Sequence, residues 1–80
     1  MNITEYKKCE KLMEEAIRKA KQSDDEYKEA DCHLNVGNKM AYGIELRKAD
    51  QHYGYADGIN QALATLGFKH DRMKELSKLL

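Results

Sequence analysis

Three glycines stand out among the residues whose types and spacing could support chemistry. Gly43, Gly54 and Gly58 lie in a segment of helical periodicity, where each glycine costs about 1 kcal/mol relative to alanine. On a helix they fall within about 60° of one another, and polar residues share their sector. This set, which we call the glycine strip, consists of Gly43, Arg47, Asp50, Gly54, Gly58 and Gln61.

The glycine strip predicts a shallow groove with a floor of bare backbone, which another backbone or a flat ligand could approach closely. Arg47 could contact an anion with two parallel hydrogen bonds, with Asp50, Asp57 and Gln61 as hydrogen-bonding walls. The ligand would then be small, anionic and nucleotide-like, held between subunits. The alternative is that the glycines mark a helix crossing, in a dimer or otherwise, or a mild unwinding.

Other candidate chemistry has weaker support in the sequence. Zinc sites use two close pairs of Cys or His ligands, whereas Cys32 and His33 diverge by about 100° on a helix. The chain has no glycine-rich phosphate loop, nucleophile elbow or isolated acidic pair on an apolar face. We therefore predict no metal ligands, no cofactor, no catalytic residues and no enzyme activity.

Charge and composition narrow the class of protein. The 80 residues include 14 Lys or Arg and 14 Asp or Glu, so the formal net charge is zero. Nucleic-acid binders usually carry excess basic charge, which disfavours nucleic acid as a partner. No apolar run approaches the roughly 18 residues needed to cross a bilayer, and the start lacks signal-peptide features. Two cysteines make no disulfide framework, so we expect reduced thiols in a cytoplasmic protein.

The periodicity predicts an all-α fold in a single domain over residues 1–80. No segment alternates like a strand, and the chain contains no proline. A first helix is expected over about residues 4–22, with Asn2 or Thr4 as its N-cap. The sequence Ser23-Asp24-Asp25-Glu26 then matches a capping box. It predicts a short connection followed by a second helix antiparallel to the first.

The second helix is predicted to be long, over about residues 24–66. The sequence Asn35-Val36-Gly37-Asn38 predicts a bend at 35–38 in a continuous helix, and the alternative is a break between two helices there. Leu66-Gly67-Phe68 predicts a Schellman-type stop with Phe68 packed back on the helix end. A short final helix is expected over about residues 69–80.

Two apolar stripes run along the predicted second helix. One has the heptad-like spacing of a helix–helix contact, and we call it the apolar seam: Tyr42, Leu46, Ala49, Tyr53, Ala56, Asn60 and Leu63. The other, the second stripe, comprises Tyr27, Ala30, Leu34, Gly37, Ala41, Ile44, Tyr55, Ile59, Ala62 and Leu66. We expect the first and last helices to cover the second stripe. The apolar seam is then predicted to be the interface of a homo-oligomer.

The segment Tyr53–Phe68, YGYADGINQALATLGF, resembles the closing helix of small helical accessory proteins of bacteriophages and prophages. It spans about a fifth of the chain and identifies no functional residue. The resemblance implies a protein that binds and blocks a host factor or sequesters a small signalling molecule. Together with the seam, it predicts a non-enzymatic, self-associating helical binding protein acting on another macromolecule. The alternative function is to sequester the anionic, nucleotide-like ligand.

Overall fold

Three helices and their connections make up the chain. The structure is a computed structural model that describes residues 1–80. It contains α1 (Ile3–Asn35), α2 (Lys39–Thr65) and α3 (Met73–Leu79). The first two helices pack side by side as an antiparallel hairpin, and the molecule measures 52 × 17 × 16 Å along its principal axes. The all-α prediction and the short C-terminal helix are confirmed, whereas the predicted bounds of the first two helices are wrong.

α1 begins where the sequence predicts but continues through the expected turn at residues 22–24. The Asn2 side chain caps the helix by accepting a hydrogen bond of 2.8 Å from the Glu5 amide. At the supposed capping box, Ser23 is 1% exposed, and its hydroxyl donates to the Ala49 carbonyl of α2 at 2.9 Å. The helix therefore continues because Ser23 makes a tertiary hydrogen bond instead of a local cap.

The chain reverses at residues 36–38. Gly37 has φ +78°, and the Asn38 amide donates to the His33 carbonyl at 2.9 Å, which is the long bond of a Schellman motif. The Asn38 side chain then caps α2 by accepting from the Ala41 amide at 3.1 Å. The alternative of a break at Gly37 is therefore confirmed, and a continuous bent helix over 24–66 is wrong.

α2 ends in a second motif of the same kind, as predicted. Gly67 has φ +74°, and the Phe68 amide donates to the Leu63 carbonyl at 3.0 Å. Phe68 packs back against the core and is 5% exposed. The predicted final helix starts later than expected: the chain turns at residues 69–72, and α3 begins at Met73.

The core between α1 and α2 is narrow because small residues fill much of it. Ala16 and Ala20 of α1 and Ala49 and Ala56 of α2 are all at most 2% exposed. Small side chains let two helix backbones approach closely, which leaves room for few large residues. The main core cluster contains Cys9, Met13, Ala16, Ile17, Ala20, Ala56, Leu63, Phe68 and Leu76.

The apolar seam faces α1, so the prediction that it lacks a partner within the chain is wrong. Ala49, Ala56 and Leu63 are 0% exposed, and the remaining seam residues Tyr42, Leu46, Tyr53 and Asn60 are partly buried. Because the chain reverses at Gly37, α1 has 33 residues against 27 in α2 and can cover the seam along its length. The seam is therefore an intramolecular contact, and its fully buried members cannot form an oligomer interface in this fold.

Truncating a seam residue should destabilise the fold. We expect Leu63→Ala to lower the free energy of unfolding by about 3 kcal/mol, because it leaves a cavity in the core. The same change at Leu34, which is 48% exposed, should cost about 1 kcal/mol or less. Urea unfolding followed by circular dichroism measures both values. Equal losses for the two variants would contradict the burial of Leu63.

Candidate functional site

α3 covers one of the two grooves that run along the α1–α2 hairpin. The Tyr53 hydroxyl of α2 donates to the Leu80 carbonyl at 2.6 Å, and Lys21 of α1 pairs with Glu75 of α3 at 3.1 Å. Hydrogen bonds from Lys21 and Arg72 lower the pKa of Glu75. Met73, Leu79 and Leu80 pack against the core from this side. Over the length of α3, this side of the hairpin is therefore covered.

On the flank of the hairpin away from α3, no other helix of the chain packs against α1 and α2. Tyr55 lies two positions after Tyr53, about 200° away around α2, and so projects to the other flank. There its hydroxyl donates to Glu15 of α1 at 3.1 Å, which raises the pKa of Tyr55. This hydrogen bond spans the two helices on the side away from α3.

Apolar side chains line this uncovered groove. Leu12 of α1 is 42% exposed, while Tyr55 and Leu66 of α2 are 49% and 62% exposed. Ile59 and Ala62 lie between the two α2 residues at helical spacing and share their flank. We call these residues the open groove: Leu12, Tyr55, Ile59, Ala62 and Leu66. Ile59 is partly buried against the core, and the exposed apolar side chains around it are of the kind found at interaction sites.

Four of the five residues of the open groove stand out in the sequence, but there they predict a covered surface. Tyr55, Ile59, Ala62 and Leu66 belong to the second stripe, which we expected the final helix to cover. The structure instead docks α3 on the opposite flank of the hairpin. Leu12 was missed as a surface residue, because it lies at helical spacing from Cys9 and Ala16, which are buried. The apolar seam is therefore the covered stripe of α2, and the second stripe is the one left largely exposed.

Towards the hairpin turn, polar contacts join the two long helices. His52 of α2 hydrogen-bonds through Nδ1 to Glu26 of α1, and the Tyr27 hydroxyl donates to Asp50. The hydrogen bond to Asp50, together with burial, raises the pKa of Tyr27 to about 12. Asp50, predicted as a wall of a ligand groove, is thus engaged in holding α1 to α2.

The glycine strip lies on open surface of α2. A Cβ placed at Gly43, Gly54 or Gly58 would have no neighbouring atom within 4 Å, so no helix of the same chain crosses there. The Arg47 side chain lies along its own helix, with Nε 3.4 Å from the Gly43 carbonyl, and Gln61 donates to Asp57 at 2.9 Å. The strip is an exposed helix surface and not the floor of a cleft.

A concavity that the sequence did not indicate forms where the connection before α3 meets α1. It has a volume of about 370 Å³ and is lined by Tyr6, Lys69, His70, Asp71 and Lys74. The His70 ring is fixed from both sides: Nδ1 accepts from the Arg72 amide at 3.1 Å, so Nε2 is left to donate to Glu10 at 3.1 Å. Lys69 and Lys74 form no ion pair.

The remaining candidates for chemistry stay apart. Cys9 is buried and Cys32 is exposed, and both are free thiols. No three His, Cys, Asp or Glu side chains converge as a metal site would require. None of the helices combines the length and the apolar character needed to span a bilayer.

Comparison with known proteins gives no family for this chain. No protein-family model, curated protein or solved structure matches it. The resemblance of the Tyr53–Phe68 segment to phage proteins therefore stays a prediction.

Substitutions in the glycine strip test whether anything packs closely against it. Replacing Gly43, Gly54 and Gly58 together by alanine should raise the free energy of unfolding by about 2 kcal/mol, because alanine stabilises helix interiors and has open space here. Gly37→Ala is the matched control, and it should be destabilising because Gly37 has a positive φ. Chemical denaturation measures both. A triple variant less stable than the wild type would mean that something packs closely on the strip.

Proposed function

We propose that this chain is a non-enzymatic, homo-oligomeric helical binding protein. The observation that carries the proposal is the open groove, a set of apolar side chains of α1 and α2, three of them exposed, on the flank where Tyr55 hydrogen-bonds to Glu15. Its exposed members, Leu12, Tyr55 and Leu66, belong to both long helices. A surface built from two helices suits another helix or helix pair packed lengthwise.

The total surface area supports self-association. The accessible surface is 5644 Å² for a chain of 9.3 kDa. A folded monomer of that mass is expected to have about 5,000 Å², so the excess is roughly 650 Å². A stable interface buries about 800 Å² on each partner. The surplus is of the same order as that contribution, and the elongated shape of the hairpin, 52 × 17 × 16 Å, accounts for part of it.

The resemblance to phage accessory proteins adds a class of partner to the proposal. A protein that blocks a host factor needs surface beyond its own oligomer contact. The hairpin turn has such surface, since Val36 and Met40 are 78% and 79% exposed and lie at the end of the molecule, away from α3. We place the binding of a different macromolecule at this end.

Light scattering after size-exclusion chromatography tests the oligomer. The wild type should have twice the chain mass of 9.3 kDa, and Leu66→Lys should shift it towards the monomer by placing a charge in the apolar contact. Met40→Lys makes a comparable change outside the groove and should leave the mass unchanged. A wild type that is monomeric at high concentration would overturn the proposed self-association, as would insensitivity to Leu66→Lys.

A second candidate function is the binding of a small anionic ligand. The concavity at the α3 end supports it, because the unpaired Lys69 and Lys74 supply positive charge beside the Tyr6 ring. An aromatic face with nearby cations suits a planar phosphorylated molecule. This site differs from the predicted one, since Arg47 and the glycine strip lie on α2, which contributes no residue to the concavity.

A thermal-shift series distinguishes the two anion sites. Pyrophosphate or adenosine monophosphate should raise the Tm of the wild type by several degrees if it binds the folded state. Replacing Lys69 and Lys74 together by alanine should abolish the rise, while Arg47→Ala should preserve it. The reverse pattern would restore the glycine strip as the ligand site. No shift with either anion would contradict this function.

A further inference from the structure

We propose that the open groove receives a second copy of this chain, packed antiparallel, with the two-fold axis passing Leu12 and Ile59. The proposal rests on the self-association proposed above and assigns its face and orientation. The result would be a four-helix bundle in which α1 lies against α1 of the copy and α2 against α2 of the copy.

The α1 edge of the groove has a pattern of charge that changes sign about its centre. Five positions share this flank of the helix: Glu5, Lys8, Leu12, Glu15 and Lys19. They are spaced by three or four residues, so they form one continuous line along α1. Leu12 lies in the middle, with an acidic and a basic residue on each side of it.

An antiparallel copy converts this pattern into ion pairs. When Leu12 lies opposite Leu12 of the copy, Glu5, seven residues before it, lies opposite Lys19 of the copy, seven residues after it. Lys8 comes within about one residue of the position opposite Glu15 of the copy. Because the axis repeats each contact, four attractive pairs surround one apolar centre, the self-complementarity that a two-fold interface requires.

The charges concerned form few ion pairs within the chain, and Glu5 accepts a hydrogen bond of 3.1 Å from the Asn2 side chain. Lys8 and Lys19 take part in none of the ion pairs. Glu15 has only a long contact of 3.9 Å with Arg18 besides the Tyr55 hydroxyl. With a formal net charge of zero, two copies also approach without overall repulsion.

The α2 edge fits the same axis. Since Ser23 of α1 is bonded to Ala49 of α2, Leu12 lies level with residue 60, next to Ile59. An axis at Ile59 brings the Tyr55 ring close to Ala62 of the copy, which places a large side chain on a small one. The alternative is a two-fold axis parallel to the helices, which would place α1 against α2 of the copy. The charged residues of α1 would then face Tyr55, Gly58 and Ala62, where there is no Lys, Arg, Asp or Glu to pair with them.

Charge reversal tests the orientation. Glu5→Lys and Lys19→Glu, each alone, place like charges opposite each other twice and should weaken the dimer about tenfold. The double variant restores opposite charges and should recover the wild-type dissociation constant to within about threefold. Lys11→Glu makes the same charge change on the outer face of α1 and should have little effect. Analytical ultracentrifugation at low salt measures the constants, and circular dichroism checks that each variant is folded.

A cysteine at the axis gives an independent readout. In a Cys32→Ser background, Leu12→Cys should form a disulfide-linked dimer under mild oxidation, because the two side chains meet at the axis, whereas Lys11→Cys should not. A dimeric wild type with no rescue in the double variant and no Leu12→Cys linkage would overturn this orientation and leave the proposed function standing. A monomeric wild type would overturn both, even if it bound another macromolecule.

Discussion

Gly37 holds a positive φ at the end of α1, and the position of this reversal decides which faces of the two long helices meet. A turn at residues 22–24 would leave a first helix of about half the length of its partner. The turn at 36–38 gives two helices of similar length, 33 and 27 residues. The apolar seam then faces α1 along its length, and Ala49, Ala56 and Leu63 are fully buried. Every later feature, including the closed and open grooves, depends on that register.

A helix end could be predicted where its local sequence motif and the tertiary packing favour the same structure. The Leu66-Gly67-Phe68 stop was correct because its local motif and the packing of Phe68 favour the same structure. At Ser23 they conflict: the capping box favours a new helix, but burial of the hydroxyl against the Ala49 carbonyl favours continuation. The second stripe also keeps its helical spacing across Gly37, although the helix ends there and the chain reverses. Both helices of a hairpin turn apolar residues inward, so phase alone cannot distinguish a bend from a reversal.

The candidate surfaces were predictable only in part, for the same reason. The sequence showed that α2 has two apolar stripes, and the structure leaves the second stripe, which we expected to be covered, largely exposed at Ile44, Tyr55 and Leu66. Which stripe is exposed depends on where the chain reverses. The apolar seam, predicted to be exposed, is therefore packed against α1, and the second stripe, predicted to be covered, is exposed. The concavity near His70 depends on how the residues before α3 fold back on α1, a contact across 60 residues of chain. No local pattern encodes it.

The open groove follows from the small residues in the core. Alanines between α1 and α2 bring the helices close and keep the shared core narrow, so larger apolar residues remain on the flanks of the hairpin. One flank is covered by α3, whose seven residues are too few to form a stable helix without tertiary contacts. A single short helix lying along one groove cannot also cover the other. Leu12 and Tyr55 therefore stay exposed for a geometric reason, and only a further element, absent from this hairpin, can bury them.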